Sequence, residues 1–362
     1  MLNYEFPPLG AGAANATYYL LKEFAKDSTI EVDLVTSSID KFRVENFSPN
    51  IKIHYLDINK KGNLHYQSNK DLLTYSYKAY KYSKSLMKEK EFDLCHAFFG
   101  IPCGYIAMKL KIPYIVGLRG SDVPFYNPRF YWLDKLIFKR LSKKIWKNSK
   151  YTVANSSDLK ELALKYSQKQ KIGVIYNGVD INEYKPLKNK KKNDPLKIIS
   201  TSRLAKIKGH NYVLEAIGGQ PYEIIFVGDG KQKKELMDLA KKVNAKAKFV
   251  GKKNKKEVVR YLQSSDIFVL NSEKEGMSNS LLEAMASGLA IITTDTGGSR
   301  ELIKGNGFIV EREIPKNILN ALNRYQDSRL LKEHSLKSRK IAENLSWSKV
   351  AQKYKELYQK WK

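Results

Sequence analysis

The sequence predicts an α/β protein made of two doubly wound domains, each with a parallel β-sheet covered by helices on both faces. Three observations support this class. The chain has 362 residues, and a domain typically has roughly 100–200, so two domains are expected. Short runs rich in β-branched residues alternate with helix-like stretches in both halves. These runs are almost entirely apolar, which is typical of parallel strands buried on both faces.

The first half contains six of these strand-like runs, and we assign residues 1–181 to a first domain. The runs are EVDLVTS (31–37), IKIHYLD (51–57), FDLCHAF (92–98), PYIVGLR (113–119), YTVANS (151–156) and IGVIYNG (172–178).

A linker is predicted over residues 182–196, because this stretch carries a lysine run and two prolines. A second domain follows over residues 197–345. Its runs are KIIST (197–201), EIIFVG (223–228), AKFVG (247–251), DIFVLN (266–271) and LAIITT (289–294). Sheets of this kind bind ligands beyond the carboxyl ends of their strands, so we expect the active site in the cleft between the domains.

The two ends of the chain raise separate expectations. Residues 346–362 form a helix candidate with apolar side chains at three- and four-residue spacing, and we expect it to pack back toward the first domain. At the other end, few residues precede the turn at Pro7 and Pro8, too few for a full buried strand. We interpret this as a missing upstream segment or a misassigned start, which peptide mass mapping of the native protein tests.

Composition excludes several classes of protein. Apolar residues make up 42% and charged residues 28%, as in a folded globular protein, and no segment is apolar enough to span a bilayer. Cys95 and Cys103 are the only cysteines, too few for a disulfide scaffold and without the spacing of a zinc site. We therefore predict a reducing compartment, with both cysteines as small core residues.

The net charge of +28 indicates an anionic partner, because Lys and Arg number 65 against 37 acidic residues. Between Arg129 and Lys150 there are eight basic residues and one Asp. Trp132, Leu136, Leu141 and Ile145 fall at helical spacing there, which predicts an apolar stripe beside a cationic face. Packing on a sheet explains such a stripe, and contact with an anionic membrane is the further hypothesis.

The stretch EGMSNSLLEAMASG (275–288) places two acids eight residues apart at the start of a predicted helix. Ser278 or Asn279 is a good N-cap, and the free N–H groups of a helix N-terminus suit a diphosphate. Glu283 then has the position to accept both hydroxyls of a ribose, and Glu275 to accept sugar hydroxyls or face a developing positive charge. The alternative is a surface acid and a turn acid.

Arg203 and Lys208 follow the strand at 197–201, where both can reach one pyrophosphate. The sequence has no Asp-x-Asp pair and no P-loop, so two cations and a helix dipole are expected to neutralise the diphosphate without a metal. Gly10 and Gly12 allow close backbone approach to a substrate. Gly228 follows a strand in a similar turn, where it either forms the turn or contacts the donor.

Together these features resemble a known family. The chain is similar to the retaining glycosyltransferases of family 4 in four motifs. These are R-x4-K at Arg203 and Lys208, VGDG, the long motif around EGMSNSLLEAMASG, and VIYNGVD (174–180). The resemblance covers nearly the whole chain. It implies the GT-B architecture, in which two Rossmann-like domains flank an interdomain cleft.

The resemblance also implies roles for individual residues. Arg203 and Lys208 would bind the donor diphosphate, Glu283 the ribose and Glu275 the donor sugar. The turn from Gly10 to Gly12 would close on the donor. Backbone amides of the loop before the helix would hold the sugar and phosphate, at Gly276, Met277, Ser278 and Asn279.

One position departs from the family pattern. Arg119 stands where many members have a histidine before Gly-x-Asp, and an arginine cannot act as a general base. A retaining reaction of the kind proposed for the family tolerates this change, because the departing phosphate oxygen takes the acceptor proton. Arg119 and Asp122 are then candidates for an anionic acceptor or the donor phosphate. His96 matches a histidine at a strand end, with a hydrogen-bonded core histidine as the alternative.

The sequence thus predicts a metal-independent retaining hexosyltransferase without a cofactor. Its donor would be a UDP- or GDP-sugar, and its acceptor a hydroxyl of a cell-surface glycan or lipid-linked molecule. We expect a cytoplasmic protein, peripheral on the inner face of the cell membrane. The alternatives are a nucleotide-sugar epimerase of the same fold, a noncatalytic sugar-binding protein, and a basic protein that binds nucleic acid or membranes. Nucleic acid is not expected, because the aromatics of 129–150 follow a helical stripe rather than a sheet.

Overall fold

The computed structural model describes residues 1–10, 12–62, 64, 66–188 and 190–361. The chain forms two compact units, one of Met1–Asn177 with Trp347–Lys362 and one of Gly178–Ser346. The sequence placed the first boundary at 181 and a linker over 182–196, whereas the structure includes these residues in the second unit. Tyr184 and Leu196 are buried there, and most of the described residues between them are exposed.

The strands of the first unit come from every run that the sequence predicted, with one addition. They are β1 Val32–Ser38, β2 Arg43–Ser48, β3 Ile51–Asp57, β4 Cys95–Phe98, β5 Tyr114–Leu118, β6 Tyr151–Ala154 and β7 Ile172–Val174. The orders are β1-β3-β2 and β4-β5-β6-β7, and Leu2 pairs in parallel with both Val35 and Ala97, between β1 and β4. The addition is β2, which is antiparallel to β3 and largely exposed.

The first unit buries its sheet under helices on both faces. These are α1 Gly12–Phe24, α2 Asn69–Glu89, α3 Tyr105–Leu110, α4 Tyr131–Leu133, α5 Lys139–Asn148 and α6 Ser157–Tyr166. Local sequence fixes several helix starts; Ser68 and Asp71, for example, form a capping box at α2. Cys95 and Cys103 are free and buried, which confirms them as core residues.

A single helical path runs from α4 through a π-helical turn at Asp134–Phe138 into α5. The predicted apolar stripe divides along this path. Ile145 is fully buried in the core, whereas Trp132 and Leu136 are 68% and 65% exposed. The stripe therefore packs only at its C-terminal end.

The second unit has one six-stranded sheet in which every pairing is parallel. Its strands are β8 Lys197–Thr201, β9 Glu223–Val227, β10 Lys246–Phe249, β11 Ile267–Leu270, β12 Ala290–Thr294 and β13 Gly307–Val310. The order β10-β9-β8-β11-β12-β13 is the doubly wound order of a Rossmann fold. It reverses between β8 and β11, which is where such sheets bind ligands.

Seven helices of the described residues cover this sheet. They are α7 His210–Ile217, α8 Lys233–Lys242, α9 Lys255–Ser264, α10 Asn279–Ala286, α11 Ser299–Leu302, α12 Pro315–Arg324 and α13 Ser328–Glu343. The last helix, α14 (Trp347–Gln359), belongs to the first unit. Its Trp347 stacks on Tyr19 of α1, with the ring centroids 5.6 Å apart.

Candidate active site

Four loops at the carboxyl edge of the second sheet join into one backbone framework. The loops after β8 and β11 are linked by a hydrogen bond from Glu273 N to the Ile207 carbonyl at 2.8 Å. The loop after β9 is linked to the loop after β8, because Leu204 N donates to the Asp229 carbonyl at 3.0 Å. The loop after β12 is tied to the loop after β11, because Gly298 N donates to the Gly276 carbonyl at 3.1 Å. The residues of this unit that were predicted to bind the donor lie on these loops or in the helix that follows one of them. Hydrogen bonds between neighbouring loops hold the loops in place.

Two glycines make this close loop packing possible. Gly228 has φ +148°, and a Cβ on it would lie 2.0 Å from the Ser202 carbonyl oxygen. Gly297 has φ +53°, and its Cβ would lie 2.0 Å from the Gly276 carbonyl oxygen. A side chain at either position would push two loops apart. Gly228 therefore forms the turn after β9, and its contact with a donor stays a prediction.

The structure brings Lys208 and Glu275 into direct contact. The Lys208 ammonium forms an ion pair with Glu275 Oε1, which also accepts a hydrogen bond from Ser272 Oγ at 2.6 Å. The lysine side chain is 18% exposed and the glutamate 14%, so water screens their attraction only partly. The two residues come from the loops on either side of the strand-order reversal.

Arg203 lies on the same loop as Lys208 but is exposed, and the described residues give its guanidinium no hydrogen-bond or ion-pair partner. Buried His210 supports the loop backbone: its Nε2 lies 3.0 Å from Ser202 Oγ and 3.4 Å from the Arg203 carbonyl. Burial lowers the pKa of His210 to about 4, so its imidazole is neutral at neutral pH.

The helix α10 begins where the sequence predicts. Ser278 is the N-cap, and its Oγ accepts a hydrogen bond from Leu281 N at 3.4 Å. Gly276 and buried Met277 lead into it, and Asn279 is its first residue. The N–H groups of this first turn carry the positive end of the helix dipole, which favours an anion.

Glu283 lies one turn into α10, beside residues that the sequence did not single out. Its neighbours are the buried Tyr184 side chain and the Lys255 ammonium. Burial raises the pKa of Glu283 to about 7, although both of these neighbours act to lower it.

In the first unit, Arg119 follows β5, and neighbouring side chains hold its guanidinium. Nη1 donates to Asn177 Oδ1 at 2.9 Å and Nη2 to the Tyr354 hydroxyl at 3.4 Å. The guanidinium lies 4.7 Å from the centroid of the Phe98 ring. Arg119 Nε is buried and has no partner among the described residues. The side chain is thus fixed, with one unused donor.

Asp122 orders the loop that carries Arg119. Its carboxylate accepts hydrogen bonds from the backbone N–H groups of Gly100, Arg119 and Gly120, at 2.7, 2.9 and 3.0 Å. Burial raises the pKa of Asp122, and these N–H groups act in the opposite direction. Much of its acceptor capacity is used within the loop.

His96, on β4, is buried among aromatic rings. Its Nδ1 lies 2.7 Å from the Tyr358 hydroxyl, and its ring stacks on Phe98 with centroids 4.3 Å apart. Burial and the nearby Arg119 charge hold the pKa of His96 well below its usual value. The geometry favours the interpretation as a neutral core histidine.

The remaining predicted contacts are the glycines before α1. Gly10 ends the first turn, where its N–H donates to the Leu64 carbonyl at 2.9 Å, and Gly12 is the first residue of α1. Ala11 between them lies outside the described residues. Across the described ranges, no group of three or more His, Cys, Asp or Glu side chains is arranged to hold a metal ion.

Two family models match the chain nearly end to end. Residues 10–183 match the model described as Glycosyltransferase Family 4, and residues 181–344 match the model described as Glycosyl transferases group 1. The chain belongs to the group 1 glycosyltransferases, in family 4. This confirms the resemblance inferred from the motifs.

Relatives of this glycosyltransferase include several bacterial and archaeal enzymes. An uncharacterized glycosyltransferase of Methanocaldococcus jannaschii is 29% identical over 65% of this chain, and the alignment spans 64% of that relative. The N-acetylgalactosamine-N,N'-diacetylbacillosaminyl-diphospho-undecaprenol 4-alpha-N-acetylgalactosaminyltransferase of Campylobacter jejuni is 25% identical, with 95% of each chain covered.

Solved structures show the same fold. The sucrose-phosphate synthase of Thermosynechococcus elongatus superposes with a TM-score of 0.83 at 18% identity, covering 99% of this chain and 97% of that one. At this identity the likeness concerns the fold alone, and it confirms the GT-B class with two Rossmann-like units.

Sequence reasoning missed three side chains at the site of this glycosyltransferase. Tyr184 fell in the predicted linker, Lys255 is one of several lysines in KKNKKE, and Ser272 precedes the motif. Of these three residues, only Tyr184 stands out in the sequence, as an aromatic residue within a charged stretch. Their positions depend on how loops from different strands meet, which no local pattern encodes.

Proposed function

We propose that the chain is a retaining hexosyltransferase that uses a nucleotide diphosphate sugar, UDP- or GDP-linked, without a metal ion. The observation that carries this proposal is the pair of Lys208 and Glu275 at the strand-order reversal, next to the N-terminus of α10. A cation, an acid and the N-terminus of a helix then lie at the same edge of the sheet. This set suits a sugar joined to a diphosphate.

Different residues would bind different parts of the donor. Lys208, Arg203 and the first turn of α10 would hold the diphosphate and stabilise the charge that it gains as a leaving group. Glu275 would accept sugar hydroxyls and face the positive charge that develops at the anomeric carbon. Glu283 would accept the ribose hydroxyls.

The proposed reaction keeps the anomeric configuration. The bond from the anomeric carbon to the phosphate oxygen breaks, and its electron pair stays on that oxygen. The acceptor oxygen bonds to the same face of the carbon and gives its proton to the departing phosphate oxygen. No protein base is needed, which agrees with an arginine at position 119 and a neutral His96.

A lipid-linked or glycan hydroxyl is the proposed acceptor. One relative that matches along nearly its whole length is named for transfer to a diphospho-undecaprenol carrier. Arg119, whose side chain is partly exposed and held in the first unit, is the proposed contact for an anionic group of the acceptor or donor.

Nucleotide binding tests the donor site directly. A thermal-shift assay with EDTA present compares UDP, GDP and ADP with their glucose, galactose, N-acetylglucosamine and mannose conjugates. One nucleotide series is expected to raise the unfolding midpoint of the wild type, since a ligand that binds only the native state stabilises it. Glu283→Ala is expected to lose most of this shift, because the ribose hydroxyls lose their acceptor.

Glu273→Ala serves as the matched control, because Glu273 is an acid of the loop that leads into α10 and is ion-paired to Arg312. It is expected to keep the nucleotide shift. Dependence of the shift on added Mg²⁺ would contradict the metal-independent proposal. Equal shifts in Glu283→Ala and wild type would remove Glu283 from the site.

We also propose that the enzyme is cytoplasmic and peripheral on an anionic membrane. None of the helices in the described ranges has the length and apolarity to cross a bilayer. The first unit instead presents an exposed apolar tip, defined by Tyr131, Trp132, Leu136 and Ile137, which are 48%, 68%, 65% and 55% exposed. Exposed Lys143 and Lys144 follow on α5. Apolar residues beside lysines suit an interface with anionic lipid.

Vesicle sedimentation tests the membrane proposal. The wild type is expected to bind vesicles containing phosphatidylglycerol and to leave pure phosphatidylcholine vesicles unbound. Lys143→Glu with Lys144→Glu is expected to weaken binding by about tenfold or more, because each basic residue near such a surface contributes about 1 kcal/mol.

Lys241→Glu with Lys242→Glu is the matched control, because it makes the same charge change at exposed positions of α8 in the second unit. This variant is expected to sediment like the wild type. Equal loss in both double variants would mean that net charge alone drives binding, and equal binding to both vesicle types would remove the proposal.

A further inference from the structure

The loops that carry Lys208 and Glu275 are fixed to each other by their backbones. Glu273 N donates to the Ile207 carbonyl at 2.8 Å, one residue before the lysine and two before the glutamate. Each loop thus has its anchoring bond beside the residue that forms the ion pair. The contact between Lys208 and Glu275 therefore follows from the backbone arrangement of both loops.

The Glu275 carboxylate uses one of its two oxygens in this arrangement. Oε1 contacts the Lys208 ammonium and accepts a hydrogen bond from Ser272 Oγ at 2.6 Å. Ser272 is buried, and its carbonyl accepts a hydrogen bond from Thr294 Oγ1 at 2.6 Å. In the described part of the chain, Oε2 of Glu275 has no hydrogen-bond partner. Ser272 thus holds the carboxylate in place, and its second oxygen is available to a ligand.

The two cations that were predicted to bind phosphate differ in their charge balance. Glu275 balances the charge of Lys208, whereas exposed Arg203 has no ion-pair partner in the described ranges. Carboxylate and phosphate oxygens are both acceptors for an ammonium, so a diphosphate that binds Lys208 competes with Glu275. Two anions beside one ammonium also repel each other. The acid therefore opposes a diphosphate for as long as it has no other partner.

A sugar joined to the diphosphate changes this balance. Its hydroxyls are neutral donors, and a carboxylate that loses an ammonium can accept hydrogen bonds from them instead. A buried carboxylate without any partner carries a desolvation penalty, which a bare nucleotide does not relieve. The Glu275 side chain is 14% exposed, so water replaces the lost cation only in part.

We propose that Glu275 acts in the free protein as an internal anion on Lys208, and that this contact selects the intact sugar nucleotide over the bare nucleotide diphosphate. Either ligand draws the ammonium from the carboxylate to its phosphates. Only the sugar nucleotide then supplies hydroxyls to Glu275. The spent nucleotide leaves the acid without a partner and so binds less tightly than it would without the acid. The nucleotide as ligand rests on the proposed function.

Glu275→Gln is expected to strengthen binding of bare UDP or GDP by about three- to tenfold, because the ion pair leaves Lys208 available in only a minor fraction of molecules. The sugar conjugate gains less, since a neutral amide is a weaker acceptor for its hydroxyls than a carboxylate. The preference for the conjugate over the bare nucleotide, as a ratio of dissociation constants, is therefore expected to fall by about tenfold.

Glu273→Gln is the matched control, because it removes one negative charge from the loop that leads into α10. Glu273 is 58% exposed and ion-paired to Arg312. It is expected to leave the ratio of dissociation constants unchanged, since a general rise in positive potential acts on both ligands alike. Glu275→Ala repeats the test without an amide, and tighter binding of the bare nucleotide is expected again.

Isothermal titration at one ionic strength measures these ratios for UDP, GDP and their glucose, galactose, N-acetylglucosamine and mannose conjugates. Tighter binding of the bare nucleotide to Glu275→Gln, with a smaller preference for the conjugate, supports the proposal. Equal or weaker binding of the bare nucleotide overturns it and leaves the donor site standing. An equal change of the ratio in Glu273→Gln also overturns it. If none of these nucleotides binds the wild type or the variants, the proposed donor function fails, and the ligand of this inference fails with it.

Side-chain ¹⁵N NMR of the lysines measures the contact itself in the full chain without nucleotide. Lys208→Met identifies the Lys208 ammonium resonance by its disappearance. The protons of this ammonium are expected to exchange with water more slowly in the wild type and Glu273→Gln than in Glu275→Gln, because only Glu275 accepts from it. Equal exchange in all three proteins means that the ion pair does not form in solution, and overturns the proposal independently of any nucleotide.

Discussion

Lys208→Met is expected to weaken binding of the stabilising nucleotide diphosphate by about 30- to 100-fold, because a charged hydrogen bond to phosphate is lost. The Lys208 ammonium is bonded to Glu275, so the substitution also leaves that partly buried acid without its cation. Transfer is expected to slow further, by about 100- to 1,000-fold, since the leaving diphosphate loses a fixed positive charge. Isothermal titration of UDP or GDP and a donor-turnover assay measure the two effects.

Lys206→Met is the control for this prediction. Lys206 lies in the same 3-10 turn as Lys208, is exposed, and loses the same charge on substitution. Near wild-type binding and turnover are expected for it. If both variants lose affinity equally, general electrostatic attraction explains the effect, and Lys208 has no specific place in the donor site.

The architecture was predictable because buried parallel strands are nearly continuous apolar runs. AIITT and EIIFV, for example, contain the apolar runs AII and IIFV. The pattern fails where a strand has one exposed face or edge. β2 reads RVENFS, mostly polar, because it pairs only with β3, and β13 is short with Ile309 40% exposed.

The candidate site was predictable in part for a similar reason. Parallel strands end at a common edge, so Arg203, Lys208 and Glu275 after β8 and β11 were expected to lie near each other. The ion pair between Lys208 and Glu275 was not predicted. The sequence analysis expected Lys208 to bind the diphosphate and Glu275 to bind the donor sugar, and it expected no contact between the two side chains. Tyr184 was missed because its neighbours are lysines and prolines, whereas tertiary contacts such as those of Arg339 fix that segment.

The stripe of 129–150 shows the limit of periodicity. Trp132, Leu136 and Ile145 share a helical spacing, yet only Ile145 is buried. The spacing states which side chains share a face. It does not state how much of that face the rest of the fold covers.

Gly228→Ala is expected to destabilise the second unit by about 3 kcal/mol, through backbone strain and a clash between loops. Its φ is +148°, and the added Cβ would lie 2.0 Å from the Ser202 carbonyl oxygen. The neighbouring Leu204 N–H, which donates to the Asp229 carbonyl at 3.0 Å, is expected to lose protection when the loops separate. Amide hydrogen exchange measures this, and thermal shift with nucleotide measures the accompanying loss of donor binding.

Gly219→Ala separates the clash from the backbone strain. Gly219 also has a positive φ, +65°, but no described atom lies within 4 Å of the position that its added methyl group would take, and it precedes β9 at the opposite edge of the sheet. A cost of about 1 kcal/mol is expected for it, from the left-handed conformation alone. The Leu204 amide and nucleotide binding should stay unchanged. If Gly228→Ala lowers the free energy of unfolding no more than Gly219→Ala does, the loops after β8 and β9 separate at no energetic cost. Their close packing then does not shape the donor site.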